Sequence, residues 1–179
     1  MEEIKVVGKN VYLRPITHED TDIMVKWRNE PEVFKYFIYR RPFTREGHEE
    51  WLRTRVETGE VVQFIACDNA DGRPIGCTYL RDITESLDSA EYGVLIGDAD
   101  NRGHGLGKEL LSLTMKYGFE DLGLKKITAR VISSNAPSVY CFLHSGFNIT
   151  EKTSQLTIPD GEEIPVTMLE ITRETYEEG

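Results

Sequence analysis

Apolar and polar positions along this chain predict about seven strands and about four helices. Val11-Tyr12-Leu13-Arg14-Pro15-Ile16 alternates with the period of a half-buried strand. Thr17 then stands as a helix N-cap with Asp20 three positions on, opening a helix that carries Ile23, Met24 and Trp27 and stops near Asn29-Glu30-Pro31. Thr44 is the next cap, and Trp51, Leu52 and Val56 give a second helix one apolar side until Gly59 stops it.

From Val61 to Cys67, Ile75 to Ile83 and Ala90 to Ile96 the chain runs β-rich, with short polar connections that suit an antiparallel meander. The connection from Asp68 to Pro74 reads as a hairpin turn and not a linker, so a single domain is expected over residues 1–179. The period then changes. Leu106, Leu110, Leu113 and Tyr117 share one face of a helix from near Gly105 to Leu122, about 15 residues and about 22 Å long. Lys126 to Ile132 is a strand, Asn135 to Ser145 a short helix stopped by Gly146, and Phe147 onward and Pro165 to Thr172 two more strands. This order predicts an α/β (α+β) fold around a mixed, mostly antiparallel sheet, with a parallel pairing across the long helix.

Composition narrows the partners. Of 179 residues 39% are hydrophobic, enough for a core without staples, and a formal net charge of −10 leaves no basic footprint for nucleic acid. Apolar runs such as Val94-Leu95-Ile96 fall far short of the roughly 18–20 residues of a membrane span. Met1-Glu2-Glu3-Ile4-Lys5 lacks the pattern of a secretory leader, so a cytoplasmic location is expected. Cys67, Cys77 and Cys141 sit in apolar segments without CxxC pairing and read as reduced core thiols, and no metal site is expected.

The stretch from Ala90 to Leu110 is the most informative. A strand ending Val94-Leu95-Ile96 passes through an acidic turn into Arg102-Gly103-His104-Gly105-Leu106-Gly107-Lys108 and then a helix. The alternating glycines leave backbone N–H groups unobstructed at a helix N-terminus, where the dipole favours an anion, so a phosphorylated ligand belongs there. A P-loop's GxxxxGK[ST] is absent, and the order fits R/Q-x-x-G-x-G/A with no acidic ribose partner about 20 residues on, which disfavours a dinucleotide site. Asp98 and Asp100 read as a solvated turn, and His104 as an incidental loop residue or a phosphate contact.

Arg102 to Gly107, the strand before it and the segment from Asn135 to Phe147 resemble the GNAT superfamily of acetyl-CoA-dependent N-acetyltransferases, and the expected element order is similar over nearly the whole chain. The branch it is similar to includes ribosomal-protein N-terminal, spermidine and nucleotide-amino-sugar acetyltransferases. The resemblance implies acetyl-CoA as cosubstrate, its pantetheine arm along Val94, Leu95 and Ile96 and its pyrophosphate on the backbone of Arg102, Gly103, His104, Gly105, Leu106, Gly107 and Lys108. Asn135, Ser138 and Phe142 complete that cofactor set. Many members place a tyrosine seven residues after the Asn to reprotonate the departing thiolate. Here that position is Phe142, which cannot donate a proton. Tyr140 points about 200° round the helix from it, so water, Tyr140 or a residue outside the motif stays open, as does a merely packed Tyr140.

Acetyl transfer needs a neutral amine, and a carboxylate can take its proton directly or through water. Glu91, on the strand leading into the loop, is the candidate catalytic base, in line with the resemblance, with a solvated strand-end carboxylate as the other reading. The acceptor is expected on the block from Trp27, Arg28 and Asn29 through Tyr36 to Tyr39-Arg40-Arg41-Pro42-Phe43, rich in groups that stack on sugars or bases and clamp phosphate, although an ordinary amphipathic helix with a basic turn looks much the same. This block resembles the Trp-Arg-Asn segment of amino-sugar acetyltransferases. His48 shares a helix side with Trp51, Leu52 and Arg55 and reads as a packed histidine or an acceptor contact.

The expected activity is transfer of the acetyl group of acetyl-CoA to a primary amine by direct attack in a ternary complex. A nucleotide-linked amino sugar is the first acceptor considered, and a ribosomal-protein or peptide N-terminus or a polyamine, favoured by the acidic charge, the second. A catalytically silent coenzyme A sensor is the non-enzymatic alternative, and the chain is expected as a monomer or homodimer acting on a small-molecule or peptide amine.

Overall fold

The computed structural model describes residues 6–38, 41–157 and 161–179, with the backbone alone for 151–157. Met1 to Lys5, which carried the expectation about a leader, and Tyr39 and Arg40 of the aromatic and basic block lie outside the described residues.

Among the described residues there are eight strands: β1 (Val6–Val7), β2 (Val11–Pro15), β3 (Val62–Asp68), β4 (Pro74–Arg81), β5 (Ala90–Ile96), β6 (Lys126–Ile132), β7 (Asn148–Thr157) and β8 (Glu163–Thr172). They form one sheet in the order β1-β2-β3-β4-β5-β6-β8-β7. The expected strands are all there. β1 is an addition, since two valines are too short to show a period. β8 lies between β6 and β7, where its Ile164, Val166, Leu169 and Ile171 are buried, and the polar Asn148–Thr157 takes the edge, which suits it.

β5 pairs with β6 in parallel, and only at Ala90↔Ile127 and Glu91↔Thr128. On its other side β5 stays paired to β4 as far as Gly76↔Ile96, and β6 stays paired to β8 as far as Ile132↔Val166. The two strands therefore part beyond Glu91 while each remains fixed to its outer neighbour.

The described residues include six α-helices: α1 (Thr21–Asn29), α2 (Pro31–Phe34), α3 (Arg45–Trp51), α4 (Leu106–Lys116), α5 (Ala136–Leu143) and α6 (Arg173–Glu178). The single-turn α2 and the terminal α6 exceed the four expected; both are too short for a full apolar stripe. Their starts obey local chemistry. Thr44 Oγ1 accepts from Gly47 N at 3.1 Å at the head of α3, and Asp20, itself clamped by Arg14 at 2.6 Å, accepts from Thr17 N at 2.9 Å before α1.

Strand alternation sends Leu80 and Tyr92 to one face, where they pack with Leu111, Phe119, Phe142 and Leu169 under α4 and α5. The opposite face buries Met24, Trp27, Leu52, Ile65 and Leu95 under α1 and α3. Side chains such as Phe119 and Ile65, at 1% and 0% exposure, each contribute about 1.5–3 kcal/mol. Cys67 and Cys77 are buried free thiols as expected, whereas Cys141 is only half-buried. Among the described residues no helix is long and apolar enough to cross a membrane.

Candidate active site

The parting of β5 and β6 opens a cleft of about 800 Å³. One wall is β5 from Tyr92 to Ile96, whose edge beyond Glu91 has no strand partner on that side among the described residues. The other wall is Val131 and Ile132 with Asn135, Ser138 and Phe142 from α5. An unpaired strand edge presents backbone donors and acceptors to any extended chain that lies against it.

β5 runs directly into the glycine loop. Arg102 folds back onto the strand it follows, donating from Nε to Ile96 O at 3.0 Å and from a guanidinium nitrogen to Gly97 O at 2.8 Å, and pairs with Glu30 at 3.0 Å. Gly103 and Gly105 have φ of +79° and +76°, left-handed conformations that favour glycine, and a Cβ on either would meet nothing within 4 Å. Gly107 has no such φ, and a Cβ there would come no closer than 3.9 Å, to Ile96. The loop thus faces open space; Lys108 N donates to Gly105 O at 3.1 Å, and no side chain caps the N-terminus of α4, so among the described residues the N–H groups of Leu106 and Gly107 are left for an anion.

The α1–α3 side of the cleft is a second chamber. Tyr79, Arg81, Glu91 and Gly93 face it from β4 and β5, in the registers Tyr79↔Gly93 and Arg81↔Glu91. Glu91 accepts from Arg81 at 2.5 Å and from Arg130 Nε at 2.8 Å, so both carboxylate oxygens are engaged by guanidinium donors. Arg28 lies over the rings of Phe37 and Phe43, 4.5 and 4.4 Å from their centroids. His48 is 1% exposed; its Nδ1 is 3.0 Å from Thr21 Oγ1 and its Nε2 is buried without a partner among the described residues. Burial, reinforced by the charge of Arg28, pushes the imidazole down to about 4, which leaves it neutral at ordinary pH.

Residues 10–148 match the acetyltransferase (GNAT) domain. The chain belongs to this family. As a GNAT enzyme it is an acetyl-CoA-dependent N-acetyltransferase. The type 1 aminoglycoside N(6')-acetyltransferase of Klebsiella pneumoniae is 26% identical, over 94% of this chain and 86% of that protein. The α/β-tubulin N-acetyltransferase 9 of Mus musculus is 30% identical, over 76% of this chain and 61% of that protein. A protein of Methanocaldococcus jannaschii is 28% identical over 83% of this chain, which spans only 30% of that protein's length. In fold, the spermidine N-acetyltransferase of Vibrio cholerae in complex with CoA and spermine superposes with a TM-score of 0.86 at 21% identity, covering 95% of this chain and 99% of that one. A nucleotide-linked amino sugar as acceptor finds no support among these relatives.

Within the GNAT domain, Val94, Leu95, Ile96, Arg102, Asn135, Ser138 and Phe142 all line the cleft, and Gly103, His104, Gly105, Leu106, Gly107 and Lys108 form the loop and first turn beside it. His104 and Lys108 are exposed. Phe142 is 5% exposed and packs edge-on against Tyr92 and Phe147. Tyr140 is not a core aromatic. It is 62% exposed and stacked on His144, because the inward face of α5 at this level belongs to Phe142.

On the acceptor side Arg28, Tyr36, His48 and Glu91 line the chamber, but Trp27 and Asn29 do not. Trp27, 4% exposed, packs in the core against Gly97. Asn29 closes the connection to α3, donating to Phe43 O at 2.7 Å and accepting from Phe43 N at 2.9 Å. Tyr79, Arg81 and Arg130 were missed from sequence. The pattern held one local clue, since Arg81 and Arg130 each interrupt an otherwise β-rich apolar run.

Proposed function

We propose that this enzyme acetylates a primary amine of a small molecule or peptide bound in the chamber between α1–α3 and the sheet, by direct attack in a ternary complex. The observation that carries the reading is the continuity of the unpaired β5 edge with the glycine loop, a strand for an amide-bearing arm leading to donors for a pyrophosphate. Acetyl-CoA supplies an activated acyl group when bound. The chain supplies the rest. Backbone N–H groups at the start of the free edge orient and polarise a carbonyl, Asn135 and Ser138 hold the far wall, and Phe142 and Val131 exclude water.

On this reading Glu91 fixes Arg81 and Arg130 at the chamber floor, and the amine's proton leaves by way of water along this polar wall. Arg28 and His48 contact the body of the acceptor, a cation and a neutral imidazole side by side. The test is thermal and enzymatic. Acetyl-CoA should raise the melting temperature, with about 2.7 kcal/mol of stabilisation at 100 times its Kd, and a nicotinamide dinucleotide should not. Thiol release should then depend on an amine from a panel of spermidine, an aminoglycoside and N-terminal peptides. Stabilisation by the dinucleotide and not by acetyl-CoA would overturn the reading.

A further inference from the structure

We propose that Tyr79 is the proton donor of the acetyl transfer, a role that the residue at Phe142 cannot fill. The proposal rests on the acetyl-transfer reading above and adds to it a group outside the motifs that identify the family.

Tyr79 stands opposite Gly93 in the β4–β5 register, and its ring lies across that residue. A Cβ on Gly93 would fall 2.0 Å from Tyr79 Cζ and 2.3 Å from its hydroxyl oxygen, so glycine at 93 is what allows the phenol to occupy this place. The place matters because β5 leaves β6 at Glu91, which makes Gly93 the first residue of β5 on this face whose edge is open. A phenol there sits at the vertex of the cleft, beside the strand that would orient the reacting carbonyl.

The hydroxyl is also uncommitted. Tyr79 is half-buried, lines the cleft and makes no hydrogen bond among the described residues. Four other described tyrosines differ. Tyr92 turns to the opposite face, where its hydroxyl is sealed in the core, Tyr36 is 48% exposed, Tyr140 lies outside on α5 and Tyr176 donates to Glu120. Burial pushes the Tyr79 phenol above its ordinary 10, so the proton is in place throughout the neutral range. The Arg81 guanidinium, two residues along the same strand face, stabilises the phenolate formed when the proton leaves.

The step balances. The amine nitrogen bonds to the carbonyl carbon, the carbon–sulfur bond breaks, and the departing sulfur takes the phenolic proton. The phenolate then takes the proton that the nitrogen sheds on becoming an amide, directly or through water, and Tyr79 is restored.

The experiment follows thiol release from acetyl-CoA by Tyr79→Phe, with the amine panel and with water as the acceptor if no amine is used. The expected result is a kcat lower by about 10²-fold, with the acetyl-CoA-induced rise in melting temperature unchanged. Tyr79→Phe combined with Phe142→Tyr should regain at least about tenfold by restoring a phenol on α5. Gly93→Ala, which leaves Tyr79 in the chain but displaces its ring, should lower kcat in the same direction. Wild-type kcat in Tyr79→Phe from pH 6 to 10, an effect confined to the acceptor KM, or a loss that appears in Tyr92→Phe instead, overturns the proposal. Absence of any acetyl-CoA stabilisation in the wild-type protein is a different failure, that of the acetyl-transfer reading itself.

Discussion

The indole of Trp27 lies against Gly97, so close that a Cβ on Gly97 would fall 2.0 Å from the ring. An acceptor-side helix thereby props the root of the loop that follows β5, since Gly97 N donates to Ile75 O and Gly97 O accepts from Arg102. Gly97→Ala should cost about 1–3 kcal/mol of stability by overpacking. The same variant should weaken acetyl-CoA binding, although no side chain enters the loop; denaturant titration and calorimetry would separate the two losses.

The three loop glycines should not behave alike. Gly103→Ala and Gly105→Ala force a side chain into a left-handed conformation and should each cost about 1–2 kcal/mol, with a further loss of acetyl-CoA affinity because the new methyl stands in the open space before the loop. Gly107→Ala has neither problem. Inside the first turn of α4 it should gain up to about 1 kcal/mol and keep measurable affinity, as thermal melts with and without acetyl-CoA would reveal.

His48 gives stability a dependence on pH. Its pKa is about 4 in the folded protein against about 6.5 unfolded, so the unfolded chain binds the extra proton and stability falls as pH drops from about 6.5 to about 4, levelling below that. The full contribution is about 3 kcal/mol. Unfolding free energies of wild type and His48→Asn, measured from pH 7 to 4, should converge by that amount as the pH falls; parallel curves would show that the imidazole is not held neutral.

Glu91→Gln tests a carboxylate with both oxygens engaged. Removing its charge leaves Arg81 and Arg130 facing each other at 18% and 17% side-chain exposure, at a cost of about 1–3 kcal/mol. The acceptor KM should rise while the kcat profile against pH keeps its shape. Loss of the limb attributable to a general base would instead make Glu91 the proton acceptor.

What could be read from the chain was local. Thr44 before its helix, Gly59 and Gly146 as helix stops and the seven-residue step from Asn135 to Phe142 are set by neighbours a turn or two away, and each appears where its spacing put it. The clamp on Glu91 could not be read that way. Arg130 lies 39 residues on and reaches it only because β5 and β6 are adjacent in the sheet. Tyr79 was hidden because an aromatic residue in an apolar strand has the signature of a core residue, and only the glycine across from it on β5 makes it a cleft residue. Trp27 was misread for the converse reason: an aromatic residue beside arginine and asparagine looks like recognition, yet its partner is a bare backbone 70 residues away.

The divergence of β5 and β6 also bears on how the domain unfolds. With only two residue pairs in register and the Glu91–Arg130 ion pair joining β5 to β6, β1–β5 and β6–β8 should open as two blocks held together largely by packing under α4 and α5. On the proposed reading, a cosubstrate lying in the gap would couple those blocks through new backbone hydrogen bonds and buried surface. Without it, amides of β6–β8 should exchange through openings smaller than global unfolding, and with it their exchange should slow toward that of β3 and β4, so that the substrate completes the cooperativity of the fold.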